Sequence, residues 1–442
     1  MSLAKSLDRR RLLLGGAAGL LLPGLGRGAL AESPARIGTF PDGVSADSVF
    51  VGLNMPLTGV FSGDGSDLKL GYELAIAQIN AGGEIPAVWG LKGKGVLGRQ
   101  IRHKVADTEG KPNVAVQAAT QFIQRDKAIL FQGSVSSAEA IALEELASRD
   151  KVLYMVGIAG SNDVTGKNCQ RYGFRSQQNA YMAAKALAPV VAKALGTKLK
   201  AAFLVPDYTY GQTVYDSFAK FTKEQGWTQV LKETVPLGTA DYSSALLNIA
   251  NSGADVFVNI CFGSDAVAST KQAEQFGILS SMKLVVPNLS AFQDKEVGPE
   301  LMQGVYGSCD FWWTMQDRAP LAKRFVESFE QKNRYKPRWG AHIGYLQTYL
   351  WALSVERANS FNPVDVIKVM ESSKAQPYET TIGKVYYRAE DHQMVRPIPI
   401  LRGKAPKAMT GPEDYYELLD LVDGESVMNP PDLFGCRLGS YT

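Results

Sequence analysis

The chain has 442 residues and a formal net charge of +3, from 47 Lys and Arg against 44 Asp and Glu. So small an imbalance, with no Lys/Arg cluster beyond residue 31, excludes the electrostatic footprint of a nucleic-acid binder. At 45% hydrophobic and 21% charged residues, the composition is that of a globular protein with room for two or three domains.

The N-terminus carries Arg9, Arg10 and Arg11 directly before an apolar run from Leu12 to Gly26, diluted by Gly15, Gly16, Gly19 and Gly24. The run leads to Ala29-Leu30-Ala31, small residues suited to cleavage, and then Glu32. A charged start, an apolar middle and a small-residue cut describe a secretory signal over 1–31. The paired arginines and the glycines resemble a twin-arginine (Tat) signal more than a general secretory one. The run is shorter than the roughly 20 apolar residues that span a bilayer, so no stable membrane insertion is expected. The first cysteine is Cys169, which leaves no lipid-bearing cysteine at the cut. A soluble periplasmic protein with its signal removed is the expectation.

Val49 to Leu53 reads as a buried strand. From Asp67 to Asn80, apolar Leu68, Tyr72, Ala75, Ile76 and Ile79 share one helical face, closed by Gly82 and Gly83. Strands follow at Ile101–Ala106, Ala128–Phe131 and Val152–Val156, with helices at Asn113–Arg125 and Ala138–Ser148 between them. Such alternation predicts a parallel sheet covered on both faces. The rhythm restarts after Arg175, with strands at Ala201–Val205, Val230–Val235, Val256–Ile260 and Leu284–Val286. Helices are predicted at Gln212–Gln225, Tyr242–Asn251 and Asp265–Phe276. Three more follow, at Leu321–Lys332, Ile343–Arg357 and Pro363–Glu371, and then a hairpin-like pair, Gly383–Arg388 and Arg396–Leu401. The stretch Arg402 to Thr442 is rich in Pro and Gly and is expected to wrap the surface. The fold class is therefore α/β, with two lobes of parallel sheet flanked by helices.

Four cysteines allow three pairings. Cys169 with Cys436 is the expected one, pinning the C-terminal tail, because both lie in loop-like polar or Pro/Gly-rich stretches. None forms a C-x-x-C pair, so no metal site is expected. Gly93-Lys94-Gly95-Val96-Leu97-Gly98 matches the dinucleotide fingerprint formally, but a strand follows it where the pyrophosphate needs a helix N-terminus. It reads as a loop, and no cofactor is expected. His103, His342 and His392 have no metal-ligand spacing and read as structural. Gly133-Ser134-Val135-Ser136-Ser137 lacks the G-x-S-x-G pattern of a nucleophile elbow. With no nucleophile and base in sight, the chain is not expected to be an enzyme.

Small polar residues instead collect at two strand-to-helix turns. Ser134, Ser136 and Ser137 precede the helix at Ala138, and Gly157 to Asp163 follows the next strand. Both turns fall at carboxyl ends of parallel strands, where open α/β sheets bind ligands and where helix N-termini favour anions. The alternative for Ser137 alone is a helix N-cap.

These residues carry a resemblance to the type I periplasmic binding proteins of the leucine/isoleucine/valine class. Met55 to Gly59, Gly71 to Asn80, Asp107, Gly133 to Ser137, Asp207 to Gly211 and Gly344-Tyr345 follow the family's order and spacing, and Thr165 to Cys169 and Asp391 to Gln393 resemble one branch. The resemblance implies two lobes joined by three crossovers near Arg175, Gly307 and Thr381. Lobe 1 would comprise 48–174 and 308–380, lobe 2 would comprise 175–307 and 381–405, and 406–442 would be the tail. It implies that Ser137 holds a ligand carboxylate and that Ala159, Gly160 and Ser161 cover the turn gripping the head group. Tyr210, Phe262 and Phe61 would line the cleft. At the position of the family's ammonium-binding glutamate stands neutral Asn288, which leaves a buried ammonium uncompensated and favours an amide, a urea-like molecule or a carboxylic acid over a plain amino acid. Phe311-Trp312-Trp313 would offer stacking surface or pack the lobes. The implied protein is a monomer that captures a small solute for the permease of an ABC importer. The alternative is an exported sensor of the same fold that reports to a signalling partner.

Overall fold

The computed structural model describes residues 44, 45 and 47–441, so the signal segment lies outside the described residues. The first apolar runs pair as a five-stranded parallel sheet: β1 (Ser48–Met55), β2 (Gln100–Asp107), β3 (Leu130–Gly133), β4 (Leu153–Val156) and β5 (Gly173–Arg175), in the order β2-β1-β3-β4-β5. A second, seven-stranded sheet contains β6 (Lys200–Pro206), β7 (Thr228–Val235), β8 (Val256–Asn259), β9 (Lys283–Asn288) and β10 (Tyr306–Ser308), all parallel. Three short strands, β11 (Tyr378–Thr380), β12 (Gly383–Tyr387) and β13 (Met394–Val395), form a separate antiparallel sheet. The second sheet is completed by antiparallel β14 (Ile398–Gly403) and β15 (Tyr416–Val422).

The pair expected as a hairpin is thus divided. β12 bonds to β11 and β13, whereas β14 bonds to β10 and β15. Two alternating segments close in sequence suggest a hairpin, but each found a nearer partner elsewhere. The segment expected as surface tail likewise contributes β15 to the second sheet. The Gly93 to Gly98 stretch is a loop leading into β2.

The helix Trp339–Ala358 is buried over nearly its whole length and crosses the helix Ser62–Ala81. Two glycines permit the crossing: a Cβ on Gly71 would stand 1.9 Å from the Ala341 carbonyl oxygen, and one on Gly344 would stand 2.5 Å from that of Leu68. No helix was expected at Ala180–Leu195, which is apolar on almost every face and contains Pro189. Lys185, Pro189 and Lys193, four residues apart, form its less buried face, but a proline inside so apolar a run masks the helix in sequence.

The chain passages between the two sheets are bound to one another. Gln178 in the first donates its backbone amide to Asp310 Oδ1 in the second (2.9 Å). Ser176 Oγ and Tyr387 Oη lie 2.7 Å apart, joining the first to the third. Arg396, fully buried, donates to the Ser176 carbonyl (3.1 Å) and pairs with Asp310 (3.2 Å). His342 stacks on Phe311 at 4.3 Å and meets Thr381 Oγ1 at 2.7 Å, while His392 stacks on Phe174 at 3.9 Å. Of the Phe311-Trp312-Trp313 run, Phe311 and Trp312 are fully buried, and Trp312 packs on Tyr416 at 5.0 Å. These rings pack the junction.

After β15 the chain returns to the first sheet's side. Phe434 packs on Tyr181, Cys436 is disulfide-bonded to Cys169, and Tyr172 Oη donates to the Tyr441 carbonyl (2.6 Å). Cys261 and Cys309 are buried and free. Because the disulfide closes a sequence separation of 267, its loss frees a large unfolded loop. Cys169→Ser should cost about 2–4 kcal/mol of unfolding free energy in denaturant titrations. Equal midpoints with and without reductant would contradict this.

Candidate functional site

The turn after β3 begins at Gly133, whose φ of +128° places a would-be Cβ 1.7 Å from the Asn54 carbonyl oxygen. Only glycine fits. Ser134 follows at φ 76°, its amide donating to the Asn54 carbonyl and its hydroxyl meeting Tyr154 Oη at 2.7 Å. Glu139 Oε2 accepts the Ser136 amide at 3.1 Å and the Val135 amide at 3.4 Å. These groups, expected to face a ligand, are spent inside the turn. The N-cap is Ser136, not Ser137, which is the first residue of the helix Ser137–Asp150. That shift leaves the Ser137 hydroxyl free of capping, and it accepts the Ser161 amide at 3.1 Å.

The turn after β4 is stitched to the first, since Ile158 donates to the Ser134 carbonyl at 3.0 Å. From behind, the Arg175 guanidinium donates to the carbonyls of Ala159 (3.1 Å) and Ser161 (2.5 Å), and the Ala180 amide to that of Gly160 (2.8 Å). With its carbonyls so engaged, the turn presents the Ser161 amide to Ser137. The Ser161 hydroxyl lies 2.9 Å from Thr209 Oγ1 and accepts from Thr213 (3.2 Å), both on the helix Thr209–Glu224 beside β6. The carboxyl ends of the two sheets therefore meet here.

Tyr210 on the same helix covers Gly160, where a Cβ would sit 3.2 Å from its Cε2. The Tyr210 ring packs on Phe262, after β8, at 5.8 Å, and Phe262 packs on Phe61 at 6.5 Å. Asn288 ends β9. Three buried polar atoms in this region have no hydrogen-bond partner: Tyr210 Oη, Asn288 Oδ1 and Gln177 Oε1. Such orphans are uncommon in folded interiors. The structure thus brings Ser137, Ala159, Gly160, Ser161 and Tyr210 into one contact set. Phe262 and Phe61 join it through the rings, and Asn288 lies on the strand next to β8.

Several residues here carried no signal strong enough to be singled out. Thr213 and Gln177 are ordinary polar residues in sequence, and Thr209 lies in the Asp207 to Gly211 segment without having been singled out. Asp64 precedes the helix expected from Asp67, but the helix begins at Ser62, so Asp64 stands in its first turn. An acid in the first turn of a helix that follows a buried strand was the available cue. Asp64 Oδ1 accepts the Ala291 amide, from the turn after β9, at 2.7 Å, and the Ser264 amide donates to the Val60 carbonyl at 2.9 Å. A cavity of about 580 Å³ lies elsewhere, bordered by Lys283 and Tyr306, the first residues of β9 and β10. That is the amino end of the strands, away from where α/β sheets hold ligands.

The model of the periplasmic binding protein family matches residues 48–408. This chain belongs to that family. It is 25% identical over 379 residues to Leu/Ile/Val-binding protein homolog 7 of Brucella abortus (strain 2308), covering 83% of this chain and 91% of that one. The amino acid ABC transporter substrate-binding protein from Pseudomonas fluorescens Pf-5 superposes with a TM-score of 0.79 at 25% identity, covering 89% and 100% of the two chains. A periplasmic binding protein from Burkholderia mallei superposes at 0.80 with 23% identity, covering 90% and 100%. The type I, two-lobed architecture is that of this family. Among the described residues, no helix is long and apolar enough to cross a membrane.

The lobes of this periplasmic binding protein also meet through buried charge. Arg338 pairs with Asp294 (3.4 Å) and Glu413 (2.6 Å), while Asp67 Oδ2 accepts the Ala341 amide at 2.6 Å. Burial pushes the Asp67 carboxyl up to about 7, against the Ala341 amide and the Arg338 charge. A carboxyl raised in the folded state binds its proton there before the unfolded chain does. Its contribution to stability is therefore lost as pH rises from about 4 to about 7. Asp67→Asn should gain in melting temperature relative to the parent between pH 5 and pH 8; a constant difference would contradict this. Gly160→Val should collide with Tyr210 in the closed form and lower solute affinity by roughly tenfold or more. Calorimetry reads the affinity and small-angle scattering the loss of compactness, while the melting temperature of the solute-free protein stays near the parent's.

Proposed function

We propose that this protein is the substrate-binding component of an ABC importer, closing its two lobes on a small solute. The observation that carries the reading is the contact set in which Ser137, the Ser161 amide and hydroxyl, Thr209 and Tyr210 converge from facing carboxyl ends of two parallel sheets. Hydroxyls and an amide at a helix start suit the oxygen atoms of a carboxylate or amide. Tyr210 and Asn288 complete closure, and Phe61 and Phe262 face the remainder of the solute. The relatives' names point to amino-acid transport.

The protein acts in the periplasm after removal of residues 1–31, as a monomer that hands its solute to permease subunits. It binds and does not turn over. Ser137 Oγ accepts the Ser161 amide, and His342 and His392 are committed to the junction between lobes. Hinge closure, with solute bridging the lobes, supplies the signal a permease reads.

Ser137→Ala and Ser161→Ala should each lower solute affinity by about 1–2 kcal/mol, roughly 5- to 30-fold, with thermal unfolding of the solute-free protein little changed. A thermal-shift screen over amino acids, amides, urea and aromatic acids first identifies the solute. Unchanged affinity in both variants would sink the assignment.

A further inference from the structure

Charge at the contact between the lobes does not balance. From the first-sheet side come Asp64 and Asp67, at the start of the helix Ser62–Ala81, and Arg338, just before the helix Trp339–Ala358. From the second-sheet side come Ala291, Phe292 and Asp294, after β9, and Glu413, before β15. The two sides interlock at short range. Asp64 Oδ1 accepts the Ala291 amide at 2.7 Å, and Arg338 lies 3.4 Å from Asp294 and 2.6 Å from Glu413. The Arg338 guanidinium also sits 5.5 Å from the centre of the Phe292 ring. Asp64, Asp67, Asp294 and Arg338 are each at most 1% exposed, and Asp67 Oδ1 has no hydrogen-bond partner. Counting Glu413, several carboxyls face a single guanidinium. Among the described residues, no other Lys, Arg or His forms an ion pair with them.

A carboxylate taken out of water without a counter-ion is costly, and binding a proton removes the cost. While the lobes stand apart, water serves these groups and they ionise as ordinary carboxyls. We propose that closure of the lobes takes up protons on Asp64, Asp67 and Asp294, so that solute binding is linked to pH. The inference rests on the reading that the lobes close on a solute. Burial raises all three carboxyls, Asp64 to about 8 and Asp67 to about 7. The Ala291 amide opposes the rise at Asp64, whereas Asp67 and Glu296 add to it. Arg338 opposes it at Asp67 and Asp294, and Glu413 adds to it at Asp294. Tyr208, Tyr210, Tyr335, Tyr415, Tyr416 and Cys309 also feel one or more of these carboxyls, and burial keeps all of them neutral near pH 7. A carboxyl raised in the closed form holds its proton there after the open form has lost it. Affinity is therefore highest at low pH and falls as pH rises from about 4 to about 8.

Calorimetry on the full mature chain tests this with leucine, benzoate, acetamide and urea, none of which changes charge between about pH 5.5 and pH 7.5. For each one that binds, the dissociation constant should rise about tenfold or more from pH 5.5 to pH 7.5. Titrations at pH 6.5 in buffers of different ionisation enthalpy should show uptake of about one proton or more per solute bound. Asp64→Asn keeps an oxygen for the Ala291 amide but carries no charge. It should lower the uptake, flatten the pH dependence and bind several-fold tighter than the parent at pH 7.5. A role for Asp64 confined to holding the lobes together would instead weaken binding equally at every pH. That outcome, a dissociation constant independent of pH, or an uptake unchanged by Asp64→Asn overturns the inference while leaving the solute-binding reading intact. Silence from all four solutes at both pH values overturns both.

Discussion

Burying a guanidinium obliges the surrounding chain to supply acceptors, and Arg175 sets the geometry of both hinge and site in this way. It is fully buried at the first crossover. Besides the carbonyls of Ala159 and Ser161, it donates to Thr165 Oγ1 and, at 2.7 Å, to Gln393 Oε1 from the third crossover. Burial lowers its pKa to about 10, against the charges of Asp391 and Glu144, so it stays protonated at neutral pH. One side chain thus orients the turn that faces Ser137 and ties it to the passage on which the second lobe moves. Without it the Ala159 carbonyl would lose its donor, and Gln393 Oε1 and the Ser161 carbonyl would each keep only a longer bond, to Thr165 and Val164.

The contact between the lobes combines buried polar groups with aromatic rings. Thr209, Ser161, Asp64, Arg338 and Asp294 are groups that water can serve when the lobes part. A surface that must alternate between buried and wet states cannot be all hydrocarbon, because opening would then expose a large apolar face. Aromatic residues with hydroxyls, Tyr208 and Tyr210, reconcile the two demands by presenting an apolar body with a polar tip.

Much of the architecture was legible because parallel α/β units write it in alternating strands and amphipathic helices. Strands β1 to β4 and β6 to β9, the loop at Gly93 to Gly98, the central helix around Gly344 and the Cys169–Cys436 pairing follow from local pattern and residue type, whereas the short strands β5 and β10 and the tail strand β15 do not. What was not legible depended on partners distant in sequence. β14 could not be assigned to β10 and β15 from its own residues, and the helix Ala180–Leu195 is masked in sequence by Pro189 within an apolar run. At the site, a one-residue difference between Ser136 and Ser137 decides which hydroxyl caps the helix and which faces the neighbouring turn. Asp64 became visible only once the helix start was placed at Ser62. At Gly160 the Tyr210 ring occupies the space a side chain would need.

The disulfide also settles how force and damage pass through the molecule. Cys169 precedes the first crossover and Cys436 lies six residues from the C-terminus, so everything between them is one covalent ring. A single backbone cut at any point from 170 to 435 leaves the two pieces joined. Tension applied between the chain ends runs through residues up to 169, across the sulfur bridge, and out through the final few residues. The second lobe and the central helix lie outside that covalent load path.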